Sequence, residues 1–429
     1  MAIDLARDIV LRWEDQDPAL APMLKDGGTD VVVVDKPVDA FLQACQKAGL
    51  RVASSDEIVL SGLQEFRNAG ARPAALTEGL WPGVSRTPNT TGAEDVASAS
   101  HQPWVDANGF RIAWLKALCP ERQPALAYKP DEHSGVSPDR VLPYESLELA
   151  LVEAWVSGAN YVLAVEPRYR KALVDGDAKA IEAWRRMGRS ARWVKEHKPL
   201  FGHPFFPAIT MLVDEDELSA ELANLAFRQN ACPALEPAAR PPAPDPDKRP
   251  VVVAASLTAP APGVRSRILA HAEAGSTLIV DQEDDKPWWR VPSLKLEREE
   301  PDRETYRLGR GKVIAYREMI SDPSDFALDL IDAVTHPRRA VRIWNALSVI
   351  ATATSGPASG PFRARAILQA INYGGRLRHE ILMRIAGEYS SAVLLRPEGE
   401  RVQLKTARRG TGTEFTIPHL EQVGIVLFS

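Results

Sequence analysis

Over the first 204 residues, apolar runs of strand length alternate with segments of helical period. Runs at 9–13, 31–34, around Val52 and Ala53, and at 73–76 are followed by weaker ones at 96–99 and 125–128, and by a last run at 161–165. Amphipathic stretches at 38–48, 110–118 and 145–156 lie between them, and a long helical stretch at 179–195 follows. Strand-length runs each followed by a helix predict repeated βα units and a parallel sheet. Seven runs in this length fit a small (β/α)8 TIM-like barrel with one strand unplaced. An open doubly wound sheet is the alternative.

A strand at 209–213 and a helix at 218–227 open a second unit. The proline-rich stretch 237–250 cannot be regular structure and reads as an extended surface loop. A β-branched strand at 251–255, a helix at 263–274 and a strand at 277–280 follow, with Gly275 placed as a helix C-terminal cap. Residues 306–316, interrupted by Gly309 and Gly311, predict a hairpin, and 324–334 a helix. Beyond Pro337 the period changes to short strand-like runs at 341–343, 366–372, 377–385, 391–395, 402–405 and 424–428. Such spacing without helices predicts an antiparallel β-sandwich. Three units result: a barrel over 1–204, a small α/β unit over 205–336 and a sandwich over 337–429.

Composition narrows the class. With 45% apolar and 25% charged residues the chain is that of a soluble globular protein. A net charge of -5 without a long basic run argues against nucleic acid as a partner. No stretch reaches the ~18 apolar residues of a membrane span. The N-terminus has no apolar secretory region, which implies a cytoplasmic protein, or a periplasmic or secreted one whose signal peptide has been removed. Cys45, Cys119 and Cys232 are widely spaced and form no metal-type or redox-type pair. The eight histidines make no His-x-His or His-Glu-x-x-His spacing, so no metal or other cofactor is expected. No Gly-x-Ser-x-Gly elbow is present, and Gly309 with Gly311 makes no dinucleotide fingerprint.

The order of units resembles glycosidases of the clan A barrel type, specifically β-galactosidase-like proteins with an amidotransferase-like trimerisation domain and a terminal β-sandwich. The resemblance is carried by Ala-Glu-Ala-Gly-Ser-Thr-Leu-Ile-Val-Asp at 272–281, Leu-Gly-Arg-Gly-Lys-Val-Ile-Ala-Tyr at 308–316, Ala-Ile-Leu-Gln-Ala-Ile-Asn-Tyr at 366–373 and Ala-Val-Leu-Leu-Arg-Pro-Glu at 392–398. It covers nearly the whole chain at the level of layout and includes no catalytic signature. It implies a flavodoxin-like middle unit with a structural or oligomerising role, a homo-oligomer and a carbohydrate substrate. Where the family pattern has Asn-Glu at the end of strand four, this chain has Thr77-Glu78. The resemblance also places Glu166 where the family nucleophile stands if its strand is the seventh.

In a barrel, catalytic side chains stand at the C-terminal ends of strands. Glu14, Asp35, Asp56 and Glu57, Glu78 and Glu166 follow strand-like runs in that way. Glycoside hydrolysis needs two carboxyl groups, an acid and a nucleophile or base. Glu78 is the candidate acid: in Leu-Thr-Glu-Gly-Leu-Trp-Pro-Gly, Gly79 and Gly83 allow a tight turn and Trp81 offers a stacking face. The alternative for Glu78 is a solvated loop carboxylate. Glu166 is the candidate partner, although it can instead pair with Arg168 or Arg170. Asp106 is the reserve carboxylate. It belongs to His101-Gln102-Pro103-Trp104-Val105-Asp106-Ala107-Asn108-Gly109, where His101, Trp104 and Asn108 are candidate sugar contacts and either Asp106 or Asn108 can cap the next helix. Trp13, Asp35, Tyr128 and Lys129 fall at apparent strand ends and are further candidates for the pocket, with core packing and ion pairing as their ordinary alternatives. The leading expectation is a hydrolase of O-glycosidic bonds. A non-catalytic carbohydrate-binding protein or an oligomeric scaffold is the alternative.

Overall fold

The computed structural model describes the chain except residues 1–2, 86–103, 129–141, 207–208, 216, 258, 283–285, 321–322 and 334–338. Strands β1 (Val10–Arg12), β2 (Val31–Val34), β3 (Arg51–Ser54), β4 (Val59–Ser61), β5 (Ala74–Leu76), β8 (Ala125–Ala127) and β9 (Asn160–Ala164) form one parallel sheet. Strands β6 (Gly83–Ser85) and β7 (Trp104–Asp106) make a separate antiparallel ribbon. The helices are α1 (Ala21–Asp26), α2 (Asp39–Lys47), α3 (Leu63–Arg67), α4 (Gly109–Leu118), α5 (Glu145–Val156), α6 (Pro167–Val174) and α7 (Ala178–Glu196).

The strand order is β3-β2-β1-β9-β8-β5-β4. Its two edges, β3 and β4, are successive in the chain and are joined by the short 55–58 connection. The parallel sheet is therefore curled, with no ladder between β3 and β4 among the described residues. Where eight strands were expected, seven are described, and the expected run at 96–99 lies outside the described residues. Strand β4 was not expected, because Val-Leu-Ser is too short to register as a run of its own.

Period-two alternation explains both faces. Leu11, Val32, Val34, Leu76, Leu126 and Leu163 pack with the helices, against Phe41, Phe66 and residues of α5 and α7. The other face carries mostly smaller groups from the strands, Val10, Val31, Val33, Ala53, Ala75, Ala125, Ala127 and Val162, with Leu60 of β4 packed against them. Large side chains toward the helices and small ones away from them suit a sheet that curls around its own helix-free face.

The middle sheet runs β11 (Ala234–Pro237), β10 (Ile209–Val213), β12 (Val251–Val253), β13 (Thr277–Val280), β16 (Gly311–Tyr316), β15 (Arg303–Leu308) and β14 (Lys295–Glu299). Its first five strands are parallel and its last two close an antiparallel edge. Helix α9 (Pro262–Ala274) covers one face, with Ile268 and Leu269 against Val252, Leu278 and Val280. Helices α8 (Glu217–Arg228) and α10 (Pro323–Ala333) lie on the other, with Leu222, Ala226, Phe326 and Leu330 in the cluster of Met211, Val251 and Ile279. Gly275 does terminate α9, at φ 121°.

Two antiparallel sheets complete the chain. One is β17 (Val341–Ile343), β20 (Arg378–Ala386), β24 (Gly412–Leu420) and β23 (Thr406–Arg409). The other is β18 (Val349–Ser355), β19 (Ala366–Asn372), β25 (Val423–Phe428), β21 (Ala392–Leu395) and β22 (Val402–Leu404). Met383, Ile385, Phe415, Leu368, Val426 and Phe428 meet in the core between them. The segment before β10 pairs onto this unit: Phe206 N donates to Ala353 O at 3.1 Å and Ser355 N to Pro204 O at 3.0 Å. Among the described residues no helix is long and apolar enough to cross a membrane.

Close backbone approach fixes α7 on the sheet side. Trp184 Nε1 donates to Met23 O at 2.7 Å, and a Cβ on Gly188 would stand 1.9 Å from Asp26 O. Because that neighbour is backbone, it cannot swing aside. Gly188→Ala is expected to cost about 3 kcal/mol, at the upper end of ordinary overpacking. Urea unfolding measures it, and a loss below ~0.5 kcal/mol would show that the two segments separate freely.

Candidate functional site

The C-terminal ends of β1, β5 and β8 converge on one loop. After β5, Thr77 N donates to Ser61 O, Gly79 N donates to Ala127 O at 3.1 Å, and Glu78 forms a β-bridge with Tyr128. Arg12 Nη1 at the end of β1 donates to Tyr128 O at 3.3 Å. Tyr128 lies edge-on to Trp81, ring centroids 5.1 Å apart and planes at 83°. Only glycine fits at 79, since a Cβ there would come within 2.9 Å of the Tyr161 ring and 3.0 Å of Ala127 O. Glu78 itself is exposed, and Arg111 Nη1 of α4 stands 3.1 Å from its Oε2. The guanidinium in turn lies 5.0 Å from the Trp114 ring centroid.

Below this loop sits a carboxylate that the sequence reading did not single out. Glu153 of α5 is fully buried. Its Oε1 accepts from Asn108 N at 2.6 Å, Gly109 N at 2.9 Å and the Tyr373 hydroxyl at 2.7 Å, and its Oε2 from Asn108 Nδ2 at 2.9 Å. Asn108 Oδ1 then accepts from Leu80 N at 2.7 Å, while Tyr161 donates its hydroxyl to Leu80 O at 3.0 Å. The loop bearing Glu78 and Trp81 is thus tied through Asn108 to Glu153. Burial pushes the Glu153 carboxyl up from its ordinary 4.5, and the donors from Tyr373, Asn108 and Gly109 pull against that rise. A signal for Glu153 was present in the sequence. Helix α5 is apolar nearly all round, so its interior acids, Glu148 and Glu153, had to be buried and partnered.

The remaining candidates are dispersed. Glu166 is the N-cap of α6, its Oε2 accepting from Tyr169 N at 2.9 Å. It lines an open groove of about 700 Å³ with Tyr144, Glu145, Glu182 and Arg186, of which Glu78 is not a wall. Arg170 pairs with Glu14 rather than with Glu166. Asp106 lies in β7, register-paired with Gly83, and its charge is felt by Arg228 of α8. Asn108, expected as a sugar contact, is 1% exposed and occupied by Glu153 and Leu80. Its side chain holds the loop; of the two capping candidates, Asn108 stands at the N-cap of α4 but makes no capping bond with its side chain, and Gly109 N donates to Glu153 instead.

Trp13 is 3% and Trp81 7% exposed, so neither presents an open ring face. Asp35 is exposed at the end of β2 and accepts from Ser55 Oγ at 3.0 Å. The backbone of Trp104, in β7, pairs with that of Ser85 in β6. His101 and Lys129 lie outside the described residues. Among the described residues no group of three or more His, Cys, Asp or Glu side chains is placed to hold a metal ion.

No protein-family model matches the chain, and no curated protein matches it in sequence. Solved structures do match it along its length. Alpha-L-fucosidase isoenzyme 2 from Paenibacillus thiaminolyticus aligns with a TM-score of 0.52 at 9% identity, covering 98% of this chain and 99% of that one. A β-galactosidase from Bacillus circulans sp. alkalophilus aligns with a TM-score of 0.52 at 9% identity, covering 99% of each. A GH42 β-galactosidase from G. stearothermophilus gives 0.50 at 9% identity, over 91% of this chain and 67% of that one. At such identity the likeness is one of fold: an α/β protein with a curled parallel sheet and C-terminal antiparallel sheets.

The Glu153 cluster generates a two-part prediction. Glu153→Ala leaves Asn108 N, Gly109 N and the Tyr373 hydroxyl without their acceptor, at a cost of about 3 kcal/mol or more. Glu153→Gln keeps the Oε1 acceptor for its three donors, sets an Nε2 donor against Asn108 Nδ2 at a pH-independent cost, and removes the titration. With its folded pKa raised, wild-type Glu153 keeps its proton where the unfolded chain has lost it, so its contribution to stability falls as pH rises above about 4.5. The wild type should therefore lose stability relative to Glu153→Gln between pH 4 and 7 in paired denaturation series. A difference independent of pH contradicts this.

Proposed function

We propose that this chain is a glycoside hydrolase whose working carboxylate is Glu78 on the rim of the curled sheet. The observation that carries the reading is the placement of Glu78: exposed at the C-terminal end of β5, oriented by Arg111 and seated beside the Trp81–Tyr128 pair. Carboxylates at that end of parallel strands are where barrel enzymes keep their chemistry, and the fold likeness to a fucosidase and β-galactosidases supports a carbohydrate substrate. Glu166 serves as the second carboxylate, since only one of its oxygens is taken up in capping α6. Asp106 is the reserve. Asp35, His101, Trp104 and Lys129 are kept as proposed sugar contacts, Trp13 underlies the site from the core, and Asn108 acts as a positioning residue.

The unit boundaries 1–204, 205–336 and 337–429 go with this reading, as does a barrel of eight strands. The parallel order β11-β10-β12-β13-β16 supports a flavodoxin-like middle unit, because it places the first strand between the second and the third. That unit is read as the seat of homo-oligomerisation.

A second reading is favoured by a specific observation. Glu166 caps a helix and lines a groove apart from Glu78, as a sugar-binding protein without a matched acid pair would have it. Assays on aryl glycosides, β-galactosides and α-L-fucosides first, separate the two. Glu78→Gln should lower kcat by about 10²–10⁴-fold while leaving sugar affinity within a few-fold. Unchanged turnover removes Glu78 from the mechanism. Saturable sugar binding by calorimetry with no turnover on any glycoside establishes the binding protein instead.

A further inference from the structure

A pair of histidines in the C-terminal unit takes no part in the rim or in the Glu153 cluster. His379 of β20 and His419 of β24 are register partners across an antiparallel ladder. They lie 40 positions apart, so no local spacing marks them in the sequence. The core positions of the two strands recur every second residue, at Ile381, Met383 and Ile385 on β20 and at Phe415 and Ile417 on β24. His379 and His419 are the next members of these series, one step beyond the core, and both are exposed.

Side chains directly opposite on paired strands have Cβ atoms about 4.5–5.5 Å apart, so two imidazoles placed there come into contact. Their Nδ1 atoms stand 2.9 Å apart, one donating to the other, with the ring planes at 88°. The backbone beneath them is held on both strands. Asn345 Nδ2 donates to Glu380 O at 2.8 Å, and Arg396 Nη1 to His419 O at 3.3 Å. A braced ladder therefore sets how close the two rings come.

That spacing suits a shared metal ion. With metal–imidazole bonds of about 2.0–2.1 Å, two nitrogens at the observed separation subtend an angle of about 90° at the ion. A tetrahedral ion would need them about 3.3 Å apart. A right angle belongs to neighbouring corners of square-planar or octahedral coordination, which Cu²⁺ and Ni²⁺ adopt with nitrogen and oxygen ligands. Both Nδ1 lone pairs are required, so the ring that now donates carries its proton on Nε2 instead. A turn of each exposed ring about its Cβ–Cγ bond aims both lone pairs at the ion.

We propose that His379 and His419 form a two-imidazole site for a divalent transition-metal ion, preferring Cu²⁺ to Ni²⁺ and either to Zn²⁺. Water fills the remaining positions, since no third His, Cys, Asp or Glu ligand joins the pair among the described residues. Glu398 and Glu421 border the small cleft beside His419 together with Arg186 and Arg396, so the surrounding charge is balanced and the imidazoles carry the affinity. The bound ion ties β20 to β24 at the end of their ladder. The site does not rest on the glycosidase reading.

Titration of the untagged full chain with CuCl₂, NiCl₂ and ZnCl₂ tests it. One Cu²⁺ per chain should bind with a Kd of about 1–100 μM and raise Tm. His379→Gln and His419→Gln should each weaken Cu²⁺ by about tenfold or more. The double variant should bind about as weakly as either single one, because one lost imidazole already breaks the chelate. His203→Gln, whose ring meets Pro199 O, and Glu78→Gln should leave the affinity unchanged. Electron paramagnetic resonance of the Cu²⁺-loaded wild type should show two equatorial imidazole nitrogens, which decides the question even where a variant fails to fold. A double variant that binds Cu²⁺ as tightly as the wild type, a spectrum with fewer than two imidazoles, or Zn²⁺ held more tightly than Cu²⁺ overturns the proposal and leaves the pair as a hydrogen bond alone.

Discussion

A carboxylate removed from water must be surrounded by donors, and Glu153 draws them from distant parts of the chain. Asn108 and Gly109 come from the start of α4, and Tyr373 from the turn after β19, 220 positions along the sequence. Supplying several donors to one buried acid offsets part of its lost hydration only if all of them arrive together. The constraint is therefore geometric. Helix α5, the start of α4 and the C-terminal sheets meet at one carboxylate, Tyr373 reaching Oε1 from the last of them. Through Asn108 the same constraint reaches Leu80, and so the rim loop that bears Glu78 and Trp81 is positioned by an interaction that includes the far end of the chain.

A second ionic contact ties the same helix to the same C-terminal unit. Arg186 of α7 lies 2.6 Å from Glu148 Oε2 and 3.5 Å from Glu421 Oε1, while Ser190 donates to the other oxygen of Glu148 at 2.6 Å. Helix α5 is thus fastened along its length, Glu148 on the α7 side and Glu153 on the α4 side, to residues near the chain's end. Apolar packing follows the same route, since Ile350, Ile367, Ile371 and Tyr373 belong to one contiguous cluster with α5, α7 and α8. Large apolar surface with polar anchors at its margins resists relative motion of units far better than a small wet interface.

Most of the secondary structure was legible where side chains were large and periodic. Val31–Val34, Glu145–Val156, Ile209–Val213, Thr277–Val280, Val341–Ile343 and Ala366–Asn372 match the expected runs at both ends. The failures have identifiable causes. Strand β18 reads Val-Ile-Ala-Thr-Ala-Thr-Ser, whose inward residues after Val349 are alanines too small to mark an apolar face. Strand β24 carries Pro418, which argues against a paired strand, yet it sits opposite Glu380, a residue at φ 50° where the β20 ladder is irregular. At the site, the strand ends read from the sequence bring Glu78 and Tyr128 together in a bridge after β5 and β8. The partners of Asn108 were not legible, because a polar residue before a helix looks the same whether it faces ligand, caps the helix or meets a buried acid on another helix. Long-range pairing of that kind leaves no local pattern.

The acids of this chain divide by how many partners they have. Glu153 accepts four hydrogen bonds and is fully buried, and Glu148, 4% exposed, is held by Arg186 and Ser190, so neither is open to a substrate. Glu78, by contrast, has the guanidinium of Arg111 at one oxygen and water-facing surface besides. Reactive carboxylates need a fixed orientation and an unoccupied lone pair, and full burial supplies only the first. Under the proposed function, Glu153 supplies the rigidity and Glu78 the open oxygen. Asn108, with one face on Glu153 and the other on Leu80, transmits the order of the first to the second.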